Sequence, residues 1–178
     1  MTLKERYTKE IAPELMKELK VKNPMAIPKV TAVTLAVGLS ASQKDAKYHD
    51  TAENVLLRIT GQKPVKTLAK QSISNFKIRK GMTVGLRVTL RGPRMWHFLD
   101  KFVNVTFPRV RDFRGIPTTL LDKTGNMTIG FKEFLAFPEI RPDEVERIHG
   151  LQVTITTTAG SKPHGLALLK ALGLPFIK

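Results

Sequence analysis

Ten residues, Met82 to Arg91, constrain this chain more than any others. Met82, Val84, Leu86, Val88 and Leu90 alternate there with Thr83, Gly85, Arg87, Thr89 and Arg91. An apolar residue at every second position is the period of a strand with one buried and one open face. Arg87, Thr89 and Arg91 would then stand together on the open face. Guanidinium groups so placed can take phosphate oxygens in bidentate geometry, and a hydroxyl can bond sugar or base edges. The strand also lies in a stretch without acids: Asn54 to Leu99 holds no Asp or Glu and ten Lys or Arg. That segment contributes +10 of the formal +15, against +2 from residues 1 to 53 and +3 from residues 100 to 178. Runs of like charge are commonly solvated tails. The alternation makes this one a folded ribbon, and a polyanion its natural partner.

A pI near 10.3 implies nucleic acid or an anionic membrane surface. With 178 residues and 42% hydrophobic content, the chain is expected to form a single domain, 1–178, with a sizeable core. Cys is absent, which excludes disulfides, thiolate metal sites and a Cys nucleophile, and fits a reducing compartment. No apolar run has the length of a membrane span. The opening MTLKERYTKEIAPELMKELK has neither a signal-peptide core nor the acid-poor composition of an organellar presequence, so a cytoplasmic location without membrane association is expected. Without secretion, the sequon Asn126-Met127-Thr128 is a chance match.

Thr2 and Glu5 form a capping box, and Leu3, Tyr7, Ile11, Leu15 and Leu19 recur every four residues, which predicts a helix over residues 3 to 20 kinked or divided at Pro13. Residues 29 to 38 read as a strand with Val33, Leu35 and Val37 on one face. Thr34, Ala36 and Gly38 make the other face nearly flat, open either to RNA or to ordinary packing. Asp45 can cap a helix carrying Ala52, Val55, Leu56 and Ile59, which Gly61 ends in a left-handed conformation. The basic hairpin follows, with strands at about 65 to 70 and 83 to 91 around a protruding loop, Gln71 to Met82. In that loop Phe76 either stacks on a base or anchors the loop on its own hairpin.

Gly92-Pro93 opens a helix with an apolar stripe of Met95, Phe98, Leu99, Phe102 and Val103. Pro108 is expected to stop it, and Trp96 to complete the core or flank the RNA surface. Arg109 to Gly115 form a second basic loop. After a turn at Gly125-Asn126, residues 127 to 137 read as a strand, Asp143 to His149 as a short acidic helix, Leu151 to Thr156 as a strand and Pro163 to Leu172 as a closing helix.

No catalytic constellation emerges. His49, His97, His149 and His164 share no ligand spacing, and Glu146 with His149 is an isolated i, i+3 pair that a solvated helix explains. Gly81 and Gly85 lack the Lys-Ser/Thr ending of a phosphate loop, and Ser72 and Ser74 have no base nearby. No cofactor, metal or enzymatic activity is expected.

Seven collinear segments carry a specific resemblance: GQKP at Gly61, AKQSISNFKIRKG at Ala69, TLRGPRMW at Thr89, PRVRDFRG at Pro108, GN at Gly125, FPEI at Phe137 and ITTTA at Ile155. In this order and spacing the chain resembles the bacterial large-subunit ribosomal protein L five family, the universal 5S-rRNA-binding family. The resemblance implies a single α+β domain, a curved, mainly antiparallel sheet with helices packed on one side and protruding basic loops. It implies a structural role in the central protuberance of the large ribosomal subunit, against 5S rRNA, large-subunit rRNA and other central-protuberance ribosomal proteins. Gln62 and Thr89 match polar positions that meet 5S rRNA, and Lys63, Arg87 and Arg91 join them as phosphate partners on the charge argument above. The loop residues Ser72, Ser74, Asn75, Phe76, Lys77, Arg79 and Lys80 match an extension toward the P-site tRNA. Arg109, Arg111, Asp112, Phe113 and Arg114 match a region facing the small-subunit head and its protein S thirteen, an intersubunit bridge.

The match has departures. The family commonly shows Asn-Met-Gly-x-Gly where this chain has Ala36, Val37, Gly38, Leu39 and Ser40. Ala36 lacks the amide that Asn would offer, and Lys29 and Thr34 are candidates to compensate. Ile177 stands where a basic residue is common. Two readings from other classes stay beside the ribosomal one: a basic architectural DNA-binding protein and an RNA-processing enzyme.

Overall fold

Helices begin where side chains can take up the free N–H groups of the first turn, and Thr2 does this here. Its Oγ1 accepts from the Glu5 N–H at 3.4 Å while the Thr2 N–H donates to the Glu5 carboxylate at 3.2 Å. The computed structural model describes residues 1–39, 46–141 and 148–177. In chain order the principal elements are α1 (Leu3–Arg6), a π-helical turn (Tyr7–Ile11), α2 (Ala12–Glu18), β1 (Val30–Gly38), α3 (Ala46–Thr60), β2 (Val65–Leu68) and β3 (Thr83–Leu90). There follow α4 (Gly92–Lys101), a second π-helical turn (Phe102–Thr106), α5 (Phe107–Arg109), β4 (Met127–Phe131), β5 (Leu151–Thr157) and α6 (Lys162–Ala171). The fold is α+β: five strands in the order β2-β3-β1-β5-β4, mainly antiparallel, with helices on one side.

Two prolines explain both π turns. Pro13 and Pro108 lack an N–H and crowd the carbonyl four residues back. In each case the preceding residue bonds five residues back instead: the Ala12 N–H reaches the Tyr7 carbonyl, and the Phe107 N–H the Phe102 carbonyl. The expected kink at Pro13 is therefore a widened turn. Pro108 sits in the last turn of its helix, which passes through the wide turn and ends at Arg109, close to the expected stop.

One compact unit comprises Met1–Val33, Leu90–Ile129 and Thr154–Lys178. Phe98, Phe102 and Phe107 form its aromatic spine, with ring centroids 5.4 Å and 4.5 Å apart, and Phe113 extends it at 5.1 Å from Phe107. Trp96 is half-buried and lies 5.3 Å from Tyr7. Burial holds the Tyr7 phenol above its ordinary pKa, and its hydroxyl donates to the Pro28 carbonyl at 2.8 Å. A turn of side-chain bonds opens β4. Asp122 accepts from the N–H groups of Thr124 and Asn126, while Asn126 Oδ1 accepts from the Thr157 N–H at 2.9 Å. Gly125 there has a φ of +84° and lies against Gly165 of α6, so closely that a Cβ on Gly165 would come within 2.5 Å of Gly125 backbone atoms.

The second unit comprises Thr34–Thr89 and Gly130–Val153. Leu35, Val37, Leu86 and Val88 are buried, as the alternation predicts, while Met82 and Val84 are only half-buried. The sheet has ended at Met82, which turns instead toward the loop and accepts the Arg79 N–H on its sulfur at 3.1 Å. Gly61 ends α3 with a φ of +65°, its N–H bonded to the Leu57 carbonyl. The strand expected over 127 to 137 stops at Phe131. A 3-10 turn, Phe134–Ala136, replaces the rest, and the three-residue spacing of Phe134 and Phe137 buries both rings. Asp45 and the acidic segment 143–147 lie outside the described residues, and Ile148 and His149 are not helical.

Candidate nucleic-acid interface

The alternation that buries Leu86 and Val88 turns Gly85, Arg87 and Thr89 to the other side of β3. Antiparallel pairing sets Val65 opposite Arg87 and Thr67 opposite Gly85, so β2 adds Val65 and Thr67 to the same face. Within the second unit this face is a solvent-open trough of about 530 Å³. Ala36, Gly38, Gly85 and Gly130 form its floor, and Arg87 and Gln152 line it from two strands. Gly85 is required by the sheet itself: a Cβ there would stand 2.9 Å from both the Val37 carbonyl oxygen and Thr67 Oγ1. The flat surface expected from Thr34, Ala36 and Gly38 is thus open at Ala36 and Gly38 and covered at Thr34, which is buried.

Arg87 and Arg91 are exposed and Thr89 half-exposed, along one strand and its continuation. Lys63 and Lys66 lie 3.8 Å and 3.6 Å from the two carboxylate oxygens of Glu53 on α3. Pairs this exposed contribute little, and both ammonium groups remain able to meet phosphate. The Gln62 N–H donates to Thr60 Oγ1 at 3.2 Å, and the Thr60 hydroxyl donates in turn to the Leu56 carbonyl of α3 at 2.6 Å. This fixes the Gln62 backbone and leaves its side chain half-exposed. Thr34 is only 9% exposed, a poor position for replacing the missing amide. Lys29, in the first unit, is exposed, but its backbone is occupied by Thr158: N–H to Oγ1, and carbonyl from N–H, both at 3.0 Å.

The loop after β2 is itself a small hairpin. Ile73 and Ile78 exchange backbone bonds, the Lys77 N–H closes a turn on the Ser74 carbonyl, and the Lys80 N–H donates to Ser72 Oγ. Asn75 and Phe76 therefore occupy the tip, and Phe76 is 66% exposed, so it is not an anchor packed on its own hairpin. Arg79 and Lys80 are exposed beside it. In the first unit, Arg109, Arg111, Asp112 and Arg114 are exposed around a left-handed Asp112, and Phe113 ties the loop to Phe107.

Sequence reasoning missed Thr67, Gly130 and Gln152. Gln152 is an outward position in the alternation of Leu151, Val153 and Ile155, and that signal marks it as surface. Its place beside Ala36 depends on β5 crossing over to pair next to β1, which no local pattern encodes. Among the described residues no group of His, Cys, Asp and Glu could hold a metal, and no helix is long and apolar enough to cross a membrane.

Known families and proteins match the chain along nearly its whole length. The family described as ribosomal protein L5 matches residues 23–79, and the C-terminal family of the same ribosomal proteins matches residues 83–176. The chain is 48% identical over 176 residues to the large ribosomal subunit protein uL5 of Mesoplasma florum, covering 99% of this chain and 98% of that protein. It is 48% identical to uL5 of Thermotoga maritima over 98% of this chain and 95% of that protein. With uL5 of Roseiflexus it shares 47% over 98% and 97%.

Proposed function

This chain belongs to the ribosomal protein L5 family, and from that premise we propose that it is a non-enzymatic constituent of the large ribosomal subunit that binds 5S rRNA in the central protuberance. It works as one 5S-rRNA-binding domain in the cytoplasm, bound to the ribosome. The observation that carries the reading is the open sheet face of the second unit: a small-residue floor with Arg87 beside it, in an acid-free segment. Affinity comes from phosphate contacts by Arg87, Arg91 and Lys63, and register from polar groups such as Gln62 and Thr89 against an irregular RNA surface.

Other surfaces serve other partners. The hairpin tip from Ser72 to Lys80 offers an exposed ring among cations, a combination suited to an RNA elbow, and it reaches the P-site tRNA. The loop from Arg109 to Arg114 meets protein S thirteen of the small-subunit head, and the remaining basic surface meets large-subunit rRNA and neighbouring central-protuberance proteins.

Electrophoretic titration of purified 5S rRNA tests the central claim. Arg87→Ala is expected to weaken binding by about 1 to 3 kcal/mol and to reduce the dependence on log salt by about one counterion. Unchanged affinity and slope would remove Arg87 from the interface.

A further inference from the structure

Glycine weakens a strand, because it has no side chain to pack and loses more conformational freedom than other residues. Each strand glycine in the trough therefore needs a reason. For Gly85 the reason is internal, the clash a Cβ would make with the Val37 carbonyl. Among the described residues Gly38 and Gly130 have no such reason. Neither adopts a left-handed backbone, and a Cβ built on either meets nothing within 4 Å among the described residues. Both are exposed, and both line the trough. A strand glycine that the fold does not demand marks a place where another backbone comes close.

We infer that Gly38 and Gly130 keep the floor bare so that a ribose–phosphate chain of the RNA lies directly against the sheet, with Gln152 as the neutral group that reads it. This deepens the RNA-binding function proposed above and rests on it. Strand β5 lies between β1 and β4, so Gln152 projects from the strand that separates the two bare positions. A carboxamide offers an acceptor oxygen and two N–H donors, which match the 2′-hydroxyl of ribose, both donor and acceptor. A stacked base does not suit the site. The ring that lines the trough, Phe131, is 9% exposed and presents no open face for stacking. Arg87 supplies the charge and Gln152 the hydrogen bonds. Gln152 also places an amide in the trough beside Ala36, the position where the family's asparagine would carry one.

The test uses the full chain, purified 5S rRNA and duplex DNA of equal length as competitor, titrated at several salt concentrations. Gly130→Val should leave the melting temperature unchanged or raised, since valine suits a strand, and should weaken 5S binding about tenfold or more. Gly38→Ala is the milder companion, with a smaller loss in the same direction. Gln152→Ala should weaken binding by about three- to tenfold with the salt slope of the unaltered protein, whereas Arg87→Ala lowers that slope. If the unaltered protein prefers 5S rRNA while folded Gly130→Val, Gly38→Ala and Gln152→Ala all bind as it does, the inference is overturned and the RNA-binding function stands. If the unaltered protein shows no preference for 5S rRNA over DNA, that function fails, and the inference with it.

Discussion

At the scale of single residues, His149 is the least comfortable group in the second unit. It is 6% exposed, packed 4.3 Å from Phe134 and 6.1 Å from Tyr48, and its Nε2 has no hydrogen-bond partner among the described residues. Desolvation lowers its pKa below the ordinary 6.5, and the contact between Nδ1 and the Gly150 carbonyl offsets only part of this. Protonation therefore favours the unfolded chain. The neutral ring's contribution is complete above pH 6.5 and is lost as pH falls from there through the depressed folded value. Asp122 has the same sign in a lower window. Desolvation alone would raise its pKa, but hydrogen bonds from Asn126 and Thr124 outweigh it, so stability present above pH 3.8 is lost as pH falls further. His149→Phe should flatten the melting temperature between about pH 7.5 and 5 and leave the acid limb intact. An unchanged upper limb would assign that titration to another group. Residue identity told little of this in advance, because burial of His149 depends on rings contributed by α3 and by the 3-10 turn.

Among the elements, the hairpin between β2 and β3 yields the sharpest expectation. Its tip is closed by backbone bonds between Ile73 and Ile78 and its base by bonds of Ala69 to Met82 and Gly81, so Lys77, Arg79 and Lys80 all lie in the loop before β3 and apart in sequence from Arg87. Replacing Lys77, Arg79 and Lys80 together by alanine should therefore spare binding to isolated 5S rRNA and weaken tRNA retention in the P site of assembled ribosomes. Loss of isolated 5S binding in filter assays would show that the two surfaces are not separate. Much at this scale was legible from the chain alone. The period-two run of β3, the capping box at Thr2, the glycine stop at Gly61 and the Gly92-Pro93 helix start all stand where local chemistry puts them. The first helix shows what was half-legible. Its apolar residues recur every four positions, and a regular α-helix turning about 100° per residue would rotate such a stripe by about 40° at each step. The wide turn at Tyr7–Ile11 takes up part of that rotation. The spacing of four was visible, and so was Pro13; a π turn is the single feature that accounts for both.

For the whole molecule, a formal charge of +15 implies attraction to any polyanion at low salt. Specificity must come from elsewhere, and it shows in salt dependence. Association with duplex DNA should fall steeply as salt rises toward about 200 mM, while 5S rRNA, if the proposed neutral contacts hold it, should retain a larger share of its affinity. Parallel loss of both in competition titrations would favour a non-specific architectural role. The candidate site was legible in its charge and illegible in its shape. Arg87, Thr89 and Arg91 could be read from one strand, whereas the trough needs Ala36, Gly130 and Gln152 from three others, brought together by a strand order that the sequence does not spell out.

The contact between Gly125 and Gly165 bears on which unit a packing fault would strike. It joins a turn to a helix that follows β5, and both belong to the unit whose segments reach beyond Thr154. Every residue of the other unit precedes Thr154. A side chain at Gly165 would therefore disturb the packing of the first unit at a position that lends no residue to the trough, a lesion of the body that spares every lining residue of the cradle.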